Sequence, residues 1–258
     1  MSRMIRVAIA TWAIAVCYLA VSGANTQAFA QAAKPAVPAG TDPGGVAVAL
    51  LGPGLDYTNP LIARRLARDG EGDPIGRDFA GGDNRPYEPA DAAGNRPGTN
   101  AALTLVRLVE RVRLVAVREH PADPAAIGRM IAFTMQSPAT IAVWLDGAPA
   151  RRDWPILAEA ARRFPERLVI VPAPADGKAL AALPRLPNLV LAASAARLAS
   201  GRAPSGVTIP KDAGDDAATD LAASLWVAGL AARTLALSPG LDASGLARAL
   251  ASMSHPHH

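Results

Sequence analysis

The sequence contains one cysteine, Cys17, and it lies in an apolar run near the N-terminus. A lone thiol forms no intramolecular disulfide, and the rest of the chain has none for thiolate catalysis or a cysteine-based metal site. Histidine is nearly as scarce: His120 is the only one in the body, with His255, His257 and His258 in the last four residues. Aromatic residues make up only 4%, so Ala, Leu and Val must build the core. Lysine occurs three times against 23 arginines, a bias of composition rather than a binding surface. The formal net charge is +4, and +2 without Arg3 and Arg6. That field is too weak to argue for nucleic acid or an anionic membrane as partner. What is present is apolar bulk. Half of the 258 residues are hydrophobic and 19% are charged, which suits one large α/β domain or two small ones.

The first 30 residues read as a signal peptide. Arg3 and Arg6 form a positive start, residues 7–24 are apolar, and Ala28-Phe29-Ala30 offers small residues at both positions a signal peptidase reads. Cleavage after Ala30 is expected, with a periplasmic or secreted location in a bacterial envelope. The competing reading is an uncleaved anchor, since the run is nearly long enough to span. Only that anchor would bring the chain to a membrane. Val16, before Cys17, is too large for a lipobox. Residues 31–45, rich in Ala, Pro and Gly, read as a flexible lead-in to a domain over 46–253, and 254–258 as a tail.

Within the domain, short apolar runs alternate with amphipathic segments. Residues 46–51, 112–117, 140–145, 168–171 and 189–193 are rich in Val, Ile and Leu and bounded by Gly, Pro, Asp or Arg. Runs of this kind suit strands buried on both faces of a parallel sheet. Helical patterns over 100–111, 124–136 and 154–164 lie between them, the second opening on a first-turn proline. The alternation predicts βαβ crossovers and a doubly wound α/β sheet. Residues 217–237 are apolar nearly all round, which predicts an interior helix, and Asp242 opens a last one.

In this order the segments resemble a known set. Val46 to Pro60, with Leu-Gly-Pro-Gly-Leu-Asp at its centre, resembles the first strand and turn of the subtilisin-like serine proteases, the subtilases. Gly76-Arg-Asp-Phe-Ala-Gly-Gly-Asp-Asn84 is similar to their Tyr-Asp-Phe-Val-x-x-Asp segment, and Gly98-Thr99 to the end of their His-Gly-Thr-His. Residues 114–118, 141–145 and 186–193 resemble three further strands, the last through Pro187-Asn188. Val227-Ala228-Gly229 matches the Val-Ala-Gly that follows the family's nucleophile on a buried helix. The likeness covers about 46–250 and implies a three-layer αβα fold with a mainly parallel sheet.

The resemblance also assigns the family's catalytic positions. The triad aspartate falls at Gly52, the histidine at Pro97, the nucleophilic serine at Leu221 and the oxyanion asparagine at Ala175. Acyl transfer of that type needs a hydroxyl nucleophile, an imidazole base and a carboxylate that orients it. None of the four residues offers such a group. The implication is an exported pseudoprotease, not an enzyme, without cofactor or metal. Its groove, lined by Gly52, Pro97, Ala175 and Leu221, would hold a peptide or protein partner of the cell envelope. The alternatives are a serine-type hydrolase with a displaced site, using Ser224 and His120, and a purely structural domain.

Other candidates carry two readings each. Asp56, Asp78 and Asp83 are either a calcium or general-acid cluster or turn-bracing residues. Gly81-Gly82-Asp83-Asn84 lacks the strand and helix that a phosphate loop needs. Asp215-Asp216 suits a helix start. The terminal histidines are either adventitious metal ligands or a frayed end.

Overall fold

Each of the five apolar runs forms a strand. In a computed structural model, which describes residues 34–120, 123–176, 178, 183–200, 208 and 219–253, six strands make one sheet. They are β1 (Val46–Gly52), β2 (Gly76–Asp78), β3 (Val112–Arg118), β4 (Ile141–Trp144), β5 (Leu168–Pro172) and β6 (Leu189–Ala192), in the order β2-β3-β1-β4-β5-β6. Every adjacent pair is parallel, with Val46 opposite Val112 and Val48 opposite Ile141. β2 is the strand the apolar pattern misses. Gly-Arg-Asp has no hydrophobic run, and it sits at the sheet edge because Gly76 pairs with Ala116 of β3.

The helices among the described residues are α1 (Pro60–Ala63), α2 (Pro97–Leu108), α3 (Pro124–Gln136), α4 (Trp154–Arg163), α5 (Ala195–Ala199), α6 (Asp220–Leu237) and α7 (Ala243–Ser252). Side-chain caps start three of the long ones. Asp123 accepts from the Ala125 amide at 2.9 Å, Thr219 from Ala222 at 3.1 Å and Asp242 from Gly245 at 2.6 Å. α2 begins three residues earlier than its apolar pattern, with Pro97 in its first turn.

Strand alternation divides the core into two layers. Val48 and Leu50 of β1 join Leu114, Val143 and Ile170 on the face covered by α2, α6 and α7. Ala47, Ala49 and Leu51 join Val115, Trp144 and Val169 on the face covered by α3 and α4. The architecture is a three-layer αβα fold on a parallel sheet, as the sequence predicts.

α6 is long and apolar enough to cross a membrane by length and composition. It packs instead against α2, α7 and four strands of the sheet. Ala223, Ala228 and Ala231 are wholly buried, while Leu237 at its far end is exposed. The segment before β1 carries no helix or strand from residue 36, yet it is held. Asp42 accepts from the Gly44 and Arg68 amides at 2.8 Å each and pairs with Arg113 at 3.2 Å. Burial pushes the Asp42 carboxyl up, but these donors outweigh it and hold it below its ordinary value. The leader, Asp215-Asp216 and the terminal histidines lie outside the described residues.

Candidate functional site

In an all-parallel sheet every strand ends on the same edge, and crossover helices start there. Ligands of such sheets meet that edge. Gly52 is the last residue of β1, and its carbonyl accepts from the Glu119 amide at 2.8 Å. A Cβ on Gly52 would come 2.9 Å from the Cβ of Leu145. Pro97 is exposed in the first turn of α2. Its neighbour Gly98 seats on the turn after β1, where an added Cβ would lie 2.2 Å from the Gly54 carbonyl oxygen. That contact brings the Gly52 turn and the Pro97 turn together. Leu221, half-buried, is the second residue of α6, and Ala175, exposed, follows β5 by three residues. Arg197 links their surroundings: it pairs with Asp220 at 2.7 Å and donates to the Pro174 carbonyl at 3.0 Å.

The start of α2 is organised by a residue the sequence reading did not single out. Glu88 is 2% exposed, and its carboxylate accepts from the Gly98 amide at 2.8 Å, the Thr99 amide at 2.7 Å and the Thr99 hydroxyl at 2.6 Å. The Thr99 Oγ1 in turn accepts from the Asp56 amide at 2.8 Å. Arg96, the residue before the helix, provides no side-chain cap, so Glu88 supplies one from ten residues away.

Ser224 and His120 are not brought together as a nucleophile and base. Ser224 is wholly buried, and its hydroxyl donates to the Asp220 carbonyl at 2.9 Å on the α2 side of the sheet. His120 lines a cavity beside α3 instead. The aspartates brace turns. Asp56 accepts from the Thr58 amide at 3.0 Å, and Asp78 accepts from Gly81 at 2.6 Å while pairing with Arg118 at 2.9 Å.

The cavity beside His120 has a volume of about 210 Å³ and opens between the ends of β3 and β4 and the starts of α3 and α4. Glu119, Trp144, Asp146 and Asp153 line it, and none of Gly52, Pro97, Ala175 or Leu221 does. Burial, the neighbouring Asp146 carboxylate, the hydrogen bond shared with it, and Asp153 push the Glu119 carboxyl up to about 7. A carboxyl raised from 4.5 favours the folded state while it is protonated, and that stabilisation is lost as pH climbs through about 7. Relative to Glu119→Gln, the wild type is therefore expected to lose a few degrees of Tm between pH 5 and pH 8. A constant difference between the two melting profiles would show that Glu119 titrates normally.

No protein-family model matches the chain, and no curated protein matches it. Among solved structures, a cold-adapted subtilisin-like serine proteinase is similar with a TM-score of 0.57 at 19% identity, over 85% of this chain and 85% of its own. Sphericase is similar with a TM-score of 0.51 at 15% identity, over 85% and 86%. The fold is the subtilisin-like α/β fold. The expectation that the chain is not an enzyme is corrected at this point. It rested on ungapped matching of four positions, whereas a serine proteinase shares the fold across most of both chains. Loss of the triad is not shown. Residues 209–218, which lead into α6 and set the register of Leu221, lie outside the described residues.

Proposed function

We propose that the protein recognises an extended peptide segment of an envelope protein along the carboxyl edge of its sheet. The observation that carries this reading is the seating of Gly98 on Gly54. It joins the turn after β1 to the start of α2, where Gly52 is buried and the exposed Pro97 carries no charge. Leu221 and Ala175, on the far side of that edge, are likewise uncharged, which suits contact with a peptide backbone and apolar side chains. Arg3, Arg6, the apolar run over 7–24 and Ala28-Phe29-Ala30 support export, so the encounter takes place outside the cytoplasm.

A fluorescently labelled dodecapeptide library tests the peptide reading. Saturable micromolar binding is expected, weakened at least tenfold by Ala175→Trp, which fills the edge from an exposed position. Mass spectra of the recovered peptides report any hydrolysis directly. Absence of saturable binding by every library fraction would overturn the reading. N-terminal sequencing of the protein from periplasm or medium is expected to begin at Gln31, and a start at Met1 would remove the case for cleavage.

A further inference from the structure

The cavity between β3 and β4 is acidic beyond what its cations balance. Four carboxylates line it, from Glu119, Asp123, Asp146 and Asp153. Arg152 lies 3.6 Å from Asp153, and Arg129 pairs with Asp123 at 2.8 Å. Among the described residues neither Glu119 nor Asp146 has a cationic partner, and the two share a hydrogen bond with each other. Two carboxyl groups in contact without a cation between them repel as soon as both ionise.

A second, separate observation comes from the wall. Trp144 is 5% exposed and lines the same cavity, and its indole Nε1–H is buried without a hydrogen-bond partner. Buried donors are rarely left unmet, because each has given up its hydrogen bond to water. The missing partner must be an acceptor, which the nearby acids could provide to a cation but do not provide to Trp144. Ile127 and Pro149 add apolar surface. The cavity therefore combines an unpaired anionic end, an unmet donor and an aliphatic and aromatic wall. Its volume holds one side chain and no folded partner.

A metal ion fits poorly. Among the described residues no group of three or more His, Cys, Asp or Glu side chains is placed to hold one. An organic cation fits on each count. Its ammonium or guanidinium head would sit between Glu119 and Asp146, its methylene stem would lie along Trp144 and Ile127, and an adjoining carbonyl would accept from the indole.

The geometry points to a binding site for a basic amino-acid side chain, lysine or arginine, in the cavity formed by Glu119, Asp146 and Trp144. This rests on the peptide reading above and deepens it. Glu119 donates its amide to Gly52, so the cavity adjoins the edge where the peptide would lie.

The test uses small probes that do not need the rest of the edge: Nα-acetyl-arginine N-methylamide, the corresponding lysine compound, and the neutral norleucine and acidic glutamate analogues. Binding to the full chain is followed by the indole N–H resonance of Trp144, assigned from its loss in Trp144→Phe. The arginine or lysine probe is expected to bind at least tenfold more tightly than norleucine, to shift that resonance downfield, and to lose its advantage in Glu119→Gln/Asp146→Asn. The isosteric double variant removes charge without volume, and its melting profile shows whether it remains folded. Equal binding of all four probes, or preference for the basic ones that survives in the folded double variant, would overturn the site. Failure of the dodecapeptide library with success of the basic probes would sink the peptide reading alone. Success of the library with indifferent probes would sink this site alone.

Discussion

Ala228→Asp is expected to abolish soluble expression of the protein. Ala228 lies in the middle of α6, wholly buried between the sheet and the neighbouring helices. A carboxylate there has no basic partner, and a buried unpaired charge costs several kcal/mol, comparable with the whole ~5–15 kcal/mol stability of a domain. Ala223→Asp and Ala231→Asp should do the same, because both positions are also wholly buried and lie elsewhere on the helix circumference. Arg233→Asp serves as the control, since Arg233 is exposed one residue beyond the buried stretch. The soluble fraction of each variant is read beside the wild type. If any of the three alanine variants remains soluble with a near-normal melting temperature, that face of α6 meets solvent and the helix is not the core of its layer.

The second large effect falls on Glu88. Glu88→Ala leaves the Gly98 and Thr99 amides buried at a helix start without their acceptor. At about 1–3 kcal/mol for each unmet buried donor, the expected loss is about 3 kcal/mol. At about 2–4 °C per kcal/mol for a chain of this size, Tm should fall by about 6–12 °C. Glu88→Gln keeps one acceptor oxygen and should lose less than half as much. Because Gly98 holds the start of α2 on the β1 turn, the alanine variant should also show faster amide exchange over 97–101. Melting curves that overlay the wild type would show that the amides find other partners and that α2 does not depend on Glu88.

The strands and helices were legible where one segment carried its own signal. Continuous Val, Ile and Leu runs placed five of the six strands, since a strand buried on both faces needs no partner to be recognised. Asp242 and Pro124 marked their helix starts by local chemistry. β2 was not legible because its three residues owe their conformation to β3 rather than to their own side chains. Glu88 escaped for a related reason. It sits in a polar loop and acts ten residues away, outside every capping spacing. The acidic cavity draws on two separate connections, from β3 to α3 and from β4 to α4, yet its sequence did contain a cue. Glu119 and Asp146 each come within two residues of the end of a largely apolar strand, at the edge where parallel sheets bind ligands. The resemblance gave the fold correctly, but residue identities at four aligned positions did not carry the conclusion about catalysis.

The strand order also bears on how the chain reaches its fold. β1 is the first strand to be synthesised, yet it lies inside the sheet and gains its neighbours only when β3 and β4 have emerged. Until residues through Arg118 are available, Val-Ala-Val-Ala-Leu-Leu has both hydrogen-bonding edges open, and one stays open until Trp144. Non-local parallel pairing of this kind is slow, and an unpaired apolar strand is prone to aggregate while it waits. The nascent protein therefore depends on keeping this apolar strand solvated through the first half of synthesis.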